Sequence, residues 1–247
     1  MSRQQPEQQA PPVQRLRIRY AKRGRLRFTS HRDFSRAFER AVFRARVPMA
    51  YSSGFNPHPR ISYAGAAPTG SASEAEYLEI GLAQVVDPAD VHAQLEEALP
   101  DGLDVLQVVD ATVPLGTPST GLADLLQASR WVIGPLAVPT DVAQECVAAF
   151  LAEESVVVER MTKKGLREFD CRAAVLRLAA VPGDGDTPGV RLDLVLRHTV
   201  PAVRPDDVLT GISRLTDLDP GPAPLLTRTQ QGPLDEDTGE VGDPFAG

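Results

Sequence analysis

Apolar and polar residues alternate near the start of the chain, in the run Gln14–Tyr20. This period of two is the signature of a strand with one face in the core and one in water. Ser30 then stands three residues before Asp33, a spacing typical of a helix N-terminus. Apolar residues recur at helical spacing over Phe34–Ala45 until Pro48 ends the pattern. The pattern therefore predicts a strand followed by a helix.

The same two periods continue along the rest of the chain. The first half adds strands at Ile61–Ala64, Glu76–Leu82 and Leu103–Val109 and a helix at Pro88–Leu99. The resulting order, β-α-β-β-α-β, is that of a ferredoxin-like domain with an antiparallel sheet. The second half repeats this order with an extended hairpin: strands at Ser129–Ile133, Val156–Arg160, Cys171–Ala180, Val190–Arg197 and Pro224–Thr229, and helices at Thr140–Glu153 and Pro205–Leu215. We predict an α+β protein of two tandem ferredoxin-like domains.

Composition sets the boundaries between these segments. Residues 1–12 are rich in Gln and Pro and are expected to be a disordered arm. The two domains are expected at 13–111 and 129–230, joined by a Pro/Gly/Ser/Thr-rich linker at 112–128. Residues 231–247 are acidic and are expected to be a disordered tail.

Charge is distributed unevenly along the chain. Residues 13–63 contain thirteen Lys and Arg against two acidic residues, a net charge of +11, which leaves −18 for the remainder of a chain whose total is −7. Arginines recur every four residues along the first helix, at Arg32, Arg36, Arg40 and Arg44, and like charges at this spacing repel one another. Such a patch on an acidic body suggests a site for a polyanion.

A stiff loop, Gly54–Arg60, follows the cationic helix. Two prolines restrict its backbone, so that Asn56, His58 and Arg60 are held in set directions. We predict an RNA-binding surface formed by basic residues together with residues of this loop. Its candidate members are Arg17, Arg19, Lys22, Arg25, His31, Arg32, Arg36, Arg40, Ser52, Gly54, Phe55, Asn56, His58, Arg60, Lys163 and Lys164.

Three residues in this region allow other chemistry. His31 or His58, with Asp33 nearby, are candidates for general acid and base in an endoribonuclease, by analogy with the paired ferredoxin-like architecture of the CRISPR RNA-processing enzymes. The same three residues could also ligate a metal, but their types are common in loops and no metal site is predicted. The two cysteines, Cys146 and Cys171, lack metal-ligand spacing and are expected to be buried thiols.

Specific motifs lie within Lys22–Leu82: F-x-S-H-x-D at Phe28–Asp33, S-x-G-F-N-P-H-P at Ser52–Pro59 and S-x-x-E at Ser73–Glu76. This segment strongly resembles the bacterial radical SAM-associated (radical SAM-linked) proteins, a domain of unknown function, and Thr162–Asp170 resembles the family's second motif. The resemblance implies an accessory role beside a radical S-adenosylmethionine enzyme. Two cysteines cannot supply the three-cysteine cluster motif of those enzymes themselves.

The leading hypothesis is a non-catalytic RNA-binding accessory module of such an enzyme, needing no cofactor of its own. The alternatives are the metal-independent endoribonuclease and a protein-interaction subunit that docks on a partner enzyme. The sequence contains neither an apolar run long enough to span a membrane nor a signal peptide, so a cytoplasmic location is expected.

Overall fold

The computed structural model describes residues 8–113, 120–162, 165–183, 189–221 and 223–246. Within these ranges the chain is a mixed α+β protein with ten strands and five helices. It divides into two compact units: unit 1 runs up to Asp124, and unit 2 runs from Leu125 to Ala246. No helix in the described ranges is long and apolar enough to cross a membrane.

Unit 1 follows the predicted order of strands and helices. Its elements are β1 (Gln14–Lys22), α1 (His31–Arg44), β2 (Ile61–Ala64), β3 (Ala72–Leu82), α2 (Pro88–Ala98) and β4 (Val105–Asp110). The strands lie in the spatial order β4, β1, β3, β2, and each neighbouring pair is antiparallel. The period-two and helical patterns of the sequence therefore locate these elements to within a few residues.

One face of the unit 1 sheet packs against both helices. Leu16 and Ile18 of β1 and Leu78 of β3 are fully buried there, together with Phe38 of α1 and Leu95 of α2. The β1 arginines project from the opposite face, because successive side chains of a strand alternate between the two faces. We call this side the open sheet face of unit 1.

Helix α1 begins where the sequence predicts. The Ser30 hydroxyl accepts a hydrogen bond from the Asp33 backbone N–H at 3.2 Å and donates one to the Asp33 carboxylate at 2.7 Å. Two short stretches on either side of α1 lie outside the regular strands. Gly24–Phe28 form a 3-10 turn, and residues 49–53 make only isolated bridges, Met49 with Leu82 and Tyr51 with Pro59.

Unit 2 has two more strands than a simple β-α-β-β-α-β unit. After the short helix α3 (Leu122–Leu125), which spans the boundary between the units, its elements are β5 (Ala128–Leu136), α4 (Thr140–Ala152), β6 (Val157–Thr162), β7 (Gly165–Asp170), β8 (Val175–Pro182), β9 (Val190–Arg197), α5 (Pro205–Leu215) and β10 (Leu225–Gly232). The sheet of this unit has the order β10, β5, β9, β8, again antiparallel. Strands β6 and β7 pair with each other as a separate two-stranded sheet in the described part of the chain.

The hairpin is tied to α5 by a buried ion pair. Arg160 of β6 binds the carboxylate of Asp207, whose side chain is only 5% exposed. Asp207 also accepts a hydrogen bond from the Arg204 backbone N–H at 2.8 Å, and the Arg160 guanidinium lies over the Phe169 ring. The hairpin is therefore anchored through its charged side chain as well as through the buried Val158 and Phe169.

The acidic segment after β10 is folded, in contrast to the disordered tail expected from its composition. Leu234 and Val241 form a bridge and pack with Ala128 and Val195 on the sheet of unit 2. Two glutamates of the segment make ion pairs with strand arginines, Glu236 with Arg197 and Glu240 with Arg177. The sheet supplies both an apolar contact and opposite charge, which composition alone cannot reveal. Residues 1–7 of the expected N-terminal arm lie outside the described residues.

A partly buried histidine connects Leu126, the residue after α3, to β5 in unit 2. The His198 ring bonds the Leu126 carbonyl through Nδ1 at 2.7 Å and the Ser129 hydroxyl through Nε2 at 3.0 Å. Because a carbonyl only accepts, Nδ1 carries the proton and Nε2 of the neutral ring accepts from Ser129. The Trp131 indole N–H donates to the same hydroxyl at 2.9 Å. Burial, assisted by the positive charge of Arg228, lowers the pKa of His198 below its ordinary value of 6.5.

This histidine is expected to make the stability of unit 2 depend on pH. Between the lowered folded pKa and 6.5 the unfolded chain binds a proton that the folded chain does not, so the free energy of unfolding falls as pH drops below about 6.5. We expect urea unfolding followed by Trp131 fluorescence to show this loss, and the His198→Gln variant to lack it. The matched variant His92→Gln in unit 1 should retain it, and a wild-type stability independent of pH from 7 to 5 would contradict the assignment.

Candidate nucleic-acid interface

The arginines of β1 lie on the open sheet face, where two of them share one carboxylate and the third bonds a backbone carbonyl. Glu79, directly opposite Arg17 on β3, pairs with Arg15 at 2.8 Å and with Arg17 at 3.3 Å. Arg19 donates to the Glu74 carbonyl at 2.8 Å. Partly exposed pairs of this kind add at most about 1 kcal/mol to stability, but they cancel the positive charge offered to a ligand.

The open sheet face is also partly covered beside these arginines. Arg17 donates to the Thr120 carbonyl at 2.9 Å, and its side chain is only 16% exposed. A cavity of about 350 Å³ separates Arg15 and Arg17 from residues 111–113 and 120–123. A flat nucleic-acid strand therefore cannot lie on this part of the sheet without displacing that segment.

Four arginines of α1 lie on the other side of unit 1, on the outward face of the helix. We call Arg32, Arg36, Arg40 and Arg44 the arginine ridge. All four side chains are exposed, and within the described ranges none is engaged in a hydrogen bond or an ion pair. The cationic residues predicted to form one patch are thus divided between two faces. The ridge is the row of exposed arginines on α1 for which the described ranges show no carboxylate partner.

An aromatic ring and a carboxylate interrupt the arginine ridge. Phe43 projects from the same face with 83% of its surface exposed. Glu39 lies one helical turn before it and is also exposed. Together with Arg36, Arg40 and Arg44 these two residues line a shallow concavity of about 620 Å³. The surface of α1 thus combines cations, one acceptor and one ring.

The loop of the second motif is shaped by Ser52. Its backbone N–H donates to the His58 carbonyl at 2.9 Å, and its hydroxyl accepts from the His58 backbone N–H at 3.0 Å. Gly54 has φ +128°, which a residue with a side chain rarely adopts. Phe55, Asn56 and His58 are exposed at its tip. Ser52 therefore joins the two ends of the loop through two hydrogen bonds to the His58 backbone.

A second small cavity lies beside this loop, on the open sheet face. It has a volume of about 190 Å³ and is lined by His58, Arg60, Arg15 and Glu79 among others. Arg60 donates through Nε to the Tyr51 carbonyl at 3.2 Å. The loop's basic residues therefore adjoin the carboxylate-matched arginines of β1.

The two histidines proposed as acid and base contact different residues. His31 packs its ring against the edge of Tyr63 at 5.0 Å between centroids, beside α1, whereas His58 borders the cavity with Arg60. Asp33 is engaged by Ser30 as part of the helix cap. Within the described ranges no group of three His, Cys, Asp or Glu side chains is placed to hold a metal ion. The three residues thus have separate contacts: His31 with Tyr63, Asp33 with Ser30, and His58 in the lining of the cavity beside Arg60.

The family of the chain can be stated from comparison with known proteins. Residues 15–205 match the family model described as "Uncharacterized protein conserved in bacteria (DUF2344)". The chain belongs to this bacterial family. The match covers α1, the Ser52 loop and the hairpin of unit 2, and it stops at the start of α5, so β10 and the acidic segment lie beyond it. A search of curated proteins gave no match.

The remaining predicted residues of this DUF2344 protein lie at scattered places. Lys22 is buried, and its ammonium lies 3.5 Å from the Ala67 carbonyl in a region where Glu76 accepts from the Ala67 N–H. Arg25 is exposed in the 3-10 turn before α1. Lys163 and Lys164 lie outside the described residues.

Sequence reasoning missed three residues of this region. Glu79 was part of a strand pattern, but its pairing with Arg15 and Arg17 follows only from the register of β1 on β3. Tyr63 lies under His31, and burial raises its pKa to about 12, so that its phenol stays neutral. Phe43 carried a readable signal, because it falls on the charged face of α1, outside the stripe of buried residues.

Proposed function

We propose that the chain is a non-catalytic RNA-binding module and that the arginine ridge of α1 makes the contact. The observation that carries the proposal is a row of four exposed guanidinium groups on α1 that have no partner among the residues the structure describes. The ridge contains three pairs of arginines four residues apart, and repulsion within each pair lowers the stability of the helix by a few tenths of a kcal/mol. Arg32 adds a further cost in the first turn, where the helix dipole disfavours a cation. A bound polyanion would relieve both.

The spacing of the ridge favours a chain of phosphates over a compact anion. Residues four apart rise about 6 Å along a helix, so the ridge from Arg32 to Arg44 extends about 18 Å. Guanidinium groups bind phosphate oxygens through paired N–H donors. A single small anion could satisfy only one or two of the four, whereas a nucleic-acid backbone repeats its charge along the whole row. The exposed Phe43 adds a ring on which an RNA base can stack.

We further propose that both units are ferredoxin-like. In unit 1 the order β4, β1, β3, β2 with two helices on one face fits this fold. In unit 2 the strands β10, β5, β9, β8 give the same order once the β6–β7 hairpin is treated as an insertion between α4 and β8. The match of order and direction in the two units supports this assignment.

The proposed partner is a radical S-adenosylmethionine enzyme acting on the bound RNA. The proposal rests on the resemblance of the three motifs in Lys22–Leu82. The chain contains only two cysteines, Cys146 and Cys171, both buried, so a three-cysteine cluster would have to come from the partner. The chain would then hold the RNA while the partner performs the chemistry.

Salt dependence of RNA binding tests the proposal. If the four arginines contact phosphates, log K should fall against log salt with a slope of about −3, at roughly 0.7 to 0.9 for each contact. The measurement is fluorescence anisotropy of a labelled structured RNA between 50 and 300 mM salt. A slope near zero, or the absence of binding at low salt, would overturn the proposal.

Two further observations separate the alternative functions. Shortening of the RNA during the assay would favour a nuclease. If the chain captured a partner enzyme and the complex persisted after nuclease treatment, a protein-docking subunit would be favoured.

A further inference from the structure

The face of α1 carries more than an RNA backbone requires. Exposing most of a phenylalanine to water forfeits the stabilisation that burial would give, of the order of 2 kcal/mol. Phe43 is 83% exposed although apolar partners of α1, such as Phe34 and Phe38, are fully packed on its other side. A ring in this position contributes nothing to holding phosphates. It needs a different explanation from the arginine ridge.

Glu39 is equally out of place on a surface that binds phosphates. A carboxylate repels the phosphates that the ridge would attract. It would be accounted for if it neutralised a neighbouring arginine, but within the described residues Glu39 makes neither an ion pair nor a hydrogen bond. The other carboxylate of α1, Asp33, is occupied by Ser30. Glu39 therefore offers two free acceptor oxygens on the face of the ridge.

The spacing of these two residues matches the dimensions of a nucleobase. Glu39 and Phe43 are four residues apart, which places their Cβ atoms about 5 to 6 Å from each other on the same side of the helix. A base stacked on the Phe43 ring can therefore direct its edge at the Glu39 carboxylate. The concavity lined by both residues is flanked by Arg36, Arg40 and Arg44, which would hold the phosphates on either side of that base.

We infer that α1 recognises an unpaired guanine in RNA, stacked on Phe43 and hydrogen bonded by Glu39. The inference rests on the proposed function and names the nucleotide that the same surface reads. Guanine carries two adjacent N–H donors on its Watson–Crick edge, which match the two oxygens of a carboxylate. Adenine, cytosine and uracil each offer a single donor group there. Only an unpaired base has this edge and its ring face free, so the target is a bulge, loop or single strand.

The inference is tested with a set of RNA hairpins that differ at one bulged nucleotide: guanine, inosine, adenine, cytosine or uracil. Anisotropy at fixed salt should show the guanine bulge binding about ten-fold more tightly than adenine or uracil. Inosine lacks the exocyclic amine and should fall between them. The Glu39→Gln variant should bring the five affinities within about three-fold of one another. Phe43→Leu should weaken all bulged hairpins about ten-fold and leave the salt slope unchanged.

The control is Glu97→Gln, which removes one exposed carboxylate from α2 and should preserve the guanine preference. Equal binding of the five hairpins by the wild-type chain, or a guanine preference that persists in Glu39→Gln, would overturn the inference. A salt slope near −3 in the same experiments would leave the RNA-binding proposal standing. Loss of all RNA binding at low salt would instead remove the proposed function and the inference together. Circular dichroism of each variant confirms that the exposed substitutions leave the fold intact.

Discussion

Replacing all four residues of the arginine ridge by glutamine is expected to lower RNA affinity by about two orders of magnitude at 0.15 M salt. The estimate follows from counterion release, since four contacts at about 0.7 each account for this factor between 0.15 and 1 M salt. The slope of log K against log salt should approach zero in the variant. Its thermal stability should rise slightly, because the repulsion between neighbours four residues apart is removed.

Arginines that already have carboxylate partners provide the matched controls. Arg197→Gln and Arg177→Gln each remove the same charge, but Glu236 and Glu240 compensate it in the folded chain. Arg15→Gln tests the open sheet face, where Glu79 is the partner. Each is expected to change affinity by less than three-fold. If the variant with all four ridge arginines replaced kept the wild-type RNA affinity, or if these controls lost much of theirs, the RNA would bind at a surface other than the arginine ridge.

Arg160→Met is expected to destabilise unit 2 by about 3 kcal/mol, because it leaves the buried Asp207 carboxylate without its counter-charge. The substitution also removes the cation lying over Phe169 and the hydrogen bond to the Ala202 carbonyl. The measurement is urea unfolding followed by the fluorescence of Trp131, the only tryptophan in the chain, which lies in unit 2.

The predicted loss of stability in Arg160→Met is large because Asp207 is buried, and two further variants test this explanation. Arg177→Met breaks a pair whose two side chains are 39% and 53% exposed, and it should cost under about 1 kcal/mol. The double variant Arg160→Met with Asp207→Asn should recover part of the loss, since no uncompensated charge remains. If Arg160→Met alone costs less than 1 kcal/mol, the ion pair does not anchor the hairpin.

Regular patterns in the sequence located most of unit 1. Alternation over β1 and helical spacing over α1 each follow from one face being buried, and burial requires the sequence to repeat with the period of the element. The Ser30 cap was readable for the same reason, since its partner is three residues away. Elements were predicted correctly where the contacts that stabilise them join residues close together in sequence.

Contacts distant in sequence account for what was missed. Strand β7 contains few apolar residues, and apart from Phe169 its side chains are largely exposed, so no period marked it. The folded acidic segment depends on two arginines distant in sequence. Arg177 lies 63 residues before its partner Glu240, and Arg197 lies 39 residues before its partner Glu236. The cationic residues are divided between two faces because the β1 arginines project from the open sheet face, whereas α1 packs against the opposite face of the same sheet. Charge counted along the chain contains none of this information.

The acidic segment after β10 has a consequence for how the chain would select its ligand. Glu236 and Glu240 are tethered beside Arg197 and Arg177, so their effective concentration there is of the order of millimolar or higher. Each of these ion pairs is exposed and therefore weak, so it lowers the affinity of its arginine for a dissolved anion by no more than about five-fold. The acidic segment thus weakens nonspecific anion binding by the sheet arginines of unit 2.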